Sequence, residues 1–258
     1  DGSKKILIVG GIHGRENITS LLILKIIEDY LIHSSSKKQI GKFNINEMLN
    51  KVSFYFVPML NPDGVEIAVK GIDKFKNRNF FIKANEESSN FERWKANGRG
   101  VDLNKQFKAD WEKVETAESP HYESYKGPAP ESEPESSALV NLTEKEKFDT
   151  VVCFHHSGRI IYWYYNQKGR DLKRDYQLAQ KISKVNGYKV VGPEESDKWA
   201  AGFKDWFVKR FEKPGFTIEI GENQKVEKPL SVNKFSQYFN ENREVLLTIA
   251  NNIIKTNF

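Results

Sequence analysis

The feature that most constrains this chain is an alternation. Short apolar, β-branched runs end in small or polar residues, and segments with helical spacing of apolar side chains separate them. Residues 5–10 form the first run and end in Gly10-Gly11, and between Asn17 and His33 the apolar positions recur as on one face of a helix. Residues 52–58 form the second run, which enters Asn61-Pro62-Asp63-Gly64, a strong turn signal. Further runs at 150–155, 160–164 and 215–220 predict strands, and helices are predicted at 131–147, 170–185, 201–211 and 232–256. The pattern implies an α/β fold: a mixed, mainly parallel twisted sheet with helices on both faces. Residues 65–128 carry few periodic signals and are rich in Lys, Asn and Glu, which reads as a long loop, either functional or disordered. With no internal repeat and no clean linker, one domain over 1–258 is expected.

Composition removes several classes. A single cysteine, Cys153, excludes an intramolecular disulfide and any zinc site built on several thiolates. Forty Lys+Arg against 35 Asp+Glu give a net charge of +5, but the basic residues are scattered, which reads as a solvated surface rather than a nucleic-acid footprint. No stretch approaches the roughly 18–20 consecutive apolar residues of a membrane span. The chain opens with Asp1-Gly2-Ser3-Lys4-Lys5 rather than the pattern of a signal peptide, so localisation has to be argued from the substrate.

In open α/β sheets, sites form beyond the carboxyl ends of strands. There the first run delivers His13 and, three residues on, Glu16, a pair of borderline ligands suited to zinc. The 150–155 run delivers His155 and His156, of which only one can face the same ion, because neighbouring strand residues point to opposite sides. Glu219 stands alone in an apolar run, where a buried carboxylate is costly without a partner or a function. Three ligands with water in the fourth position and a nearby carboxylate base make a catalytic zinc inventory.

The order of motifs then resembles the zinc metallocarboxypeptidase (M14) family: His13 to Glu16, Asn61 to Gly64, Gly100 to Asn104, His155 to Gly158 and Phe216 to Glu219, spread over most of the chain. The segment from Trp94 to Asn104 and the Gly158-Arg159-Ile160-Ile161-Tyr162-Trp163 run are most similar to the bacterial γ-D-glutamyl-meso-diaminopimelate peptidases, and Gly127-Pro128 and Ser132-Glu133-Pro134-Glu135 fit that branch. The resemblance implies one Zn2+ per chain held by His13, Glu16 and a third histidine. The spacing to Gly158 in that branch selects His155, whereas the pancreatic-type pattern would select His156, and His155 is preferred. Glu219 would be the general base and acid, and Lys95, with Arg99 as fallback, the cation facing the oxyanion.

Asn104 and Lys105 would hold the carboxylate of the terminal substrate residue. The family commonly has Asn-Arg there, and lysine keeps the charge but loses the planar fork, so strict exopeptidase action does not follow. Lys204, in Gly202-Phe203-Lys204-Asp205-Trp206, falls at the family's specificity position and would suit a side chain ending in carboxylate. A tyrosine that pancreatic-type members carry on a mobile loop has no counterpart: Asp197 or Trp199 stands at its place. The implied function is zinc-dependent hydrolysis of cell-wall peptides or of C-terminal residues, with a peptide or peptidoglycan-derived partner; an envelope or secreted location is favoured over the cytoplasm, and a monomer over an oligomer. The alternatives are an N-acyl amino acid deacylase on the same scaffold and a zinc-free peptidoglycan-binding module. The family's two antiparallel strands upstream of residue 5 are missing from the sequence.

Overall fold

The computed structural model describes residues 4–196, 201–222 and 228–256. In chain order the first elements are β1 (Lys4–Val9), α1 (Ile18–Ser35), a small antiparallel pair of β2 (Gln39–Ile40) and β3 (Phe43–Asn44), α2 (Ile45–Leu49), β4 (Val52–Val57), α3 (Pro62–Lys70) and α4 (Arg78–Ala84). After a long connection follow α5 (Pro134–Glu146), β5 (Thr150–His156), β6 (Ile160–Tyr162), α6 (Gly169–Asn186), β7 (Lys189–Val190), α7 (Pro193–Ser196), α8 (Phe203–Phe211), β8 (Gly215–Ile220), α9 (Phe235–Asn242) and α10 (Val245–Lys255).

Six strands make the main sheet in the order β4-β1-β5-β8-β6-β7. The β4, β1, β5 and β8 ladders are parallel, and β6 runs antiparallel to β8 with β7 parallel to β6, which is the mixed, mainly parallel sheet expected. Alternation along the strands splits the core between two faces. Ile6, Ile8, Phe154, Phe216 and Ile218 pack with residues of α1, α6 and α10, whereas Leu7, Val9, Val151 and Cys153 pack with residues of α5 and α8. β5 is buried at all seven positions, as a central strand covered on both faces requires.

The expected long loop at 65–128 contains structure. Asn61-Pro62-Asp63-Gly64 is not a free turn but the start of α3: the Asn61 side chain accepts a hydrogen bond from Gly64 N, and Pro62 fills the first turn, where no amide hydrogen is needed. α4 follows, and Ile67, Phe81, Phe91, Trp94 and Tyr122 build a third apolar cluster. Low periodicity here reflects short helices whose apolar positions are completed by residues from the intervening loops. The helix expected at 232–256 is likewise broken, into a turn at Val232–Lys234 followed by α9 and α10. Among the described residues no helix is long and apolar enough to cross a membrane.

Phe154 is fully buried on the central strand. Phe154→Ala should cost about 3–5 kcal/mol of unfolding free energy, read as a lower urea midpoint at unchanged slope; a loss below about 1 kcal/mol would contradict the packing described.

Candidate metal centre

β1 ends at Val9, and the backbone then turns through Gly10–Ile12 to present His13 and a single helical turn, Gly14–Glu16. Backbone bonds clamp that turn from outside the sheet: Gly14 N donates to Lys95 O at 3.0 Å and Arg15 N to Trp94 O at 2.7 Å. His155 arrives from the end of β5. The result is a convergence of three buried groups, His13, Glu16 and His155, whose potential ligand atoms all lie within 4.8 Å of one another.

His13 Nδ1 lies 2.8 Å from Glu16 Oε1, His155 Nδ1 lies 2.9 Å from Glu16 Oε2, and the two Nδ1 atoms face each other at 3.2 Å. Two imidazole nitrogens aimed at each other and at one carboxylate suit a cation among them. Two histidines and a glutamate are an established catalytic zinc set that leaves the fourth position to water. Separations of 2.8–3.2 Å between these donors bring all three within reach of one ion. On the far side of His13, Nε2 lies 3.2 Å from Asp102 Oδ1, an outer carboxylate that holds the ring with Nδ1 toward Glu16.

Strand alternation separates the two adjacent histidines. His156 turns away from the cluster, and its Nε2 lies 3.2 Å from Arg15 O. Glu219 sits beside His155 in the β5–β8 register and is half-buried.

The charges are strongly coupled. Burial alone would raise Glu16, but His13 and His155 outweigh it and hold the carboxyl well below its ordinary range. Asp102 is likewise buried, yet His13 and Lys95 keep it ionised. Glu219 goes the other way: burial pushes its carboxyl up to about 7, Glu16 adds to the rise, and His155, Lys95 and Arg15 oppose it.

The other residues singled out from the sequence divide. Lys95 is half-buried, and its charge acts on His13, Asp102 and Glu219 together. Arg99 is not at the cluster: its side chain is 69% exposed and its Nε lies 3.9 Å from Glu133. Asn104 Oδ1 accepts from Phe203 N at 3.1 Å, tying the 103–105 turn to the start of α8. Lys105, whose ammonium is disfavoured by burial, feels both Asp102 and Asp205. Lys204 is buried rather than solvated; its Nζ donates to Tyr164 O at 2.8 Å and pairs with Asp205. Asp197 and Trp199 lie outside the described residues. Sequence reasoning passed over Asp102 and Asp205. The signal for Asp102 was present, an acid between Val101 and Leu103 in a motif already noted.

The chain is 35% identical over 247 residues to γ-D-glutamyl-L-diamino acid endopeptidase 1 of Lysinibacillus sphaericus, the match covering 93% of this chain and 60% of that protein. It is 32% identical over 246 residues to the uncharacterised protein YqgT of Bacillus subtilis (strain 168), covering 94% of this chain and 64% of the other. The chain thus spans about three-fifths of the length of these two relatives. The crystal structure of thrombin activatable fibrinolysis inhibitor superposes with a TM-score of 0.75 at 20% identity, covering 100% of this chain and 64% of that one, a likeness of fold. Residues 1–245 match the zinc carboxypeptidase (M14 peptidase) profile, and the chain belongs to that family.

Proposed function

We propose that residues 1–258 form the catalytic domain of a zinc-dependent peptidase that hydrolyses γ-D-glutamyl-diamino acid bonds of bacterial cell-wall peptides. The observation that carries this reading is the convergence of His13, Glu16 and His155 in a buried cluster, with Glu219 in register beside His155. The substrate class follows the name of the Lysinibacillus relative. Such a substrate would put the protein in the envelope or outside the cell.

In this reading His13, Glu16 and His155 hold the zinc, which when bound supplies Lewis acidity toward the scissile carbonyl and makes water easier to deprotonate. Asp102 orients His13. Glu219 takes the proton of the attacking water and passes it to the departing amine, a task suited to a carboxyl whose affinity for protons is raised toward neutrality. Lys95 faces the developing oxyanion. Asn104 and Lys105 receive the substrate carboxylate as single-point contacts rather than a fork. Lys204, already paired with Asp205, would give the side-chain site a polar, nearly neutral lining, suited to a diamino acid side chain bearing both an ammonium and a carboxylate better than to a hydrocarbon.

Metal analysis by mass spectrometry on untagged protein should give about one zinc per chain, greatly reduced in Glu16→Gln. No zinc after reconstitution would move a peptidoglycan-binding module to the front. On a γ-D-glutamyl-diaminopimelate peptide, Lys95→Ala should lower kcat by about 10²–10³-fold, whereas Arg99→Ala should stay within about threefold of the parent. Equal losses in the two variants would refute the oxyanion assignment.

Glu219 also makes a stability prediction in metal-stripped protein. A carboxyl with a folded pKa above its unfolded value favours the folded state while protonated, and that contribution disappears as pH rises from about 4.5 to about 7. Glu219→Gln should therefore gain on the parent by about 2–3 kcal/mol between pH 4.5 and pH 8, measured by urea denaturation. An equal difference between the two proteins at both pH values would show that the carboxyl does not carry this penalty.

A further inference from the structure

Asn61 is fully buried at the position that caps α3. Its side-chain oxygen accepts from Gly64 N at 2.8 Å, which is all that capping requires, and Ser, Thr or Asp would serve as well. The carboxamide nitrogen does something a cap does not need. It donates to Ile12 O at 3.0 Å, to Ala96 O at 3.1 Å and, at 3.4 Å, to Lys95 O.

These carbonyls belong to two separate segments. Ile12 immediately precedes His13, and Lys95 and Ala96 lie on the loop that carries the cation whose charge acts on His13, Asp102 and Glu219. The same segments are pressed backbone to backbone at this point: a Cβ on Gly14 would stand 2.3 Å from Gly64 O, and one on Gly64 would stand 2.3 Å from Ala96 O. Asn61 N closes the junction by donating to Gly11 O at 2.9 Å. One side chain thus joins the end of β1, the start of α3 and the Lys95 loop.

We propose that Asn61 is a positioning residue for the reaction, fixing the separation between the metal ligand His13 and the cation Lys95. The inference rests on the roles given to those two residues under the proposed function. A shift of about 1 Å in such a separation can cost about a hundredfold in rate without a change in any reacting group.

The test is Asn61→Ser, which keeps a capping oxygen but cannot reach the three carbonyls, compared with Asn61→Ala, which loses both. Serine should return most of the Tm lost in Asn61→Ala. It should leave zinc affinity, measured by competition with a chromogenic chelator, weakened about tenfold. At saturating zinc, kcat on the γ-D-glutamyl-diaminopimelate peptide should fall about 10–100-fold with KM within about threefold. In a Lys95→Ala background, Asn61→Ser should lower kcat further by less than about threefold, because the group it positions is gone. The inference is overturned if serine restores zinc affinity and kcat together with Tm, which would leave Asn61 as a helix cap only. A parent that binds no zinc, or that is indifferent to Lys95→Ala, would instead overturn the functional reading. If the parent binds zinc without cleaving this peptide, equal zinc affinities of parent and Asn61→Ser still refute the inference. Should Asn61→Ala fail to fold, the serine variant against the parent gives the same decision.

Discussion

Glu16 is a carboxylate removed from water, and its two oxygens face two different imidazoles. A buried charge of this kind is tolerated only when partners and hydrogen bonds replace its hydration. His13, four residues beyond the end of β1, and His155, near the end of β5, do so, and because β1 and β5 are neighbours in the sheet the electrostatic solution depends on that ladder being formed. Asp102 extends the arrangement outward from His13, and its own carboxylate accepts from Asn104 N at 3.0 Å and Ser124 N at 3.2 Å. A chain of charges therefore runs from the sheet into the loops that would meet a substrate. Loss of any link leaves a dry charge unbalanced, which makes the cluster as much a constraint on folding as a centre for chemistry.

How far the sequence exposes this differs between its parts. The strands and the residues at their ends were legible because an apolar run that terminates in His or Glu is an unusual pattern, and Glu219 stood out through the cost of its burial. Alternation narrows the choice between His155 and His156 to one and the resemblance prefers His155, but it is the approach of His155 Nδ1 to Glu16 Oε2 and His13 Nδ1 that brings it to the cluster. Residues 65–128 were illegible for a physical reason. α3 and α4 are short, and their apolar faces are completed by Phe91, Trp94 and Tyr122 from loops, so no window shows a clean period. The fate of Lys204 was equally hidden, since the pairing of a lysine with the next residue in the chain carries no pattern beyond adjacency.

The loops also show how ordered structure is maintained without a ladder. Gln106 is fully buried: its amide donates to Lys126 O and to Ala129 O at 3.2 Å, and its oxygen accepts from Glu133 N at 3.1 Å and from the Ser136 hydroxyl at 3.1 Å. Asn85 does similar work, donating to Ser88 O and Asn90 O, both at 2.9 Å, and accepting from Arg93 Nε at 3.2 Å. Buried amides satisfy the backbone groups that irregular segments would otherwise leave unpaired. Arg93 is further held by stacking 3.9 Å over the Tyr122 ring, one residue from Trp94 and two from Lys95.

The pairing of His155 with Glu219 across β5 and β8 has a consequence for how such a protein can diversify. Ladder register moves in whole residues, and a slip of one turns every side chain to the opposite face, so the spacing between these two groups cannot drift gradually. The segment from Lys95 to Lys105 belongs to no ladder; the side chains of Asn61, Asp102 and Asn104 hold it through individual hydrogen bonds. Inheritance is therefore divided: the spacing of His155 and Glu219 is quantised by the sheet, and the setting of Lys95 and Asp102 rests on single side chains that can be exchanged one at a time.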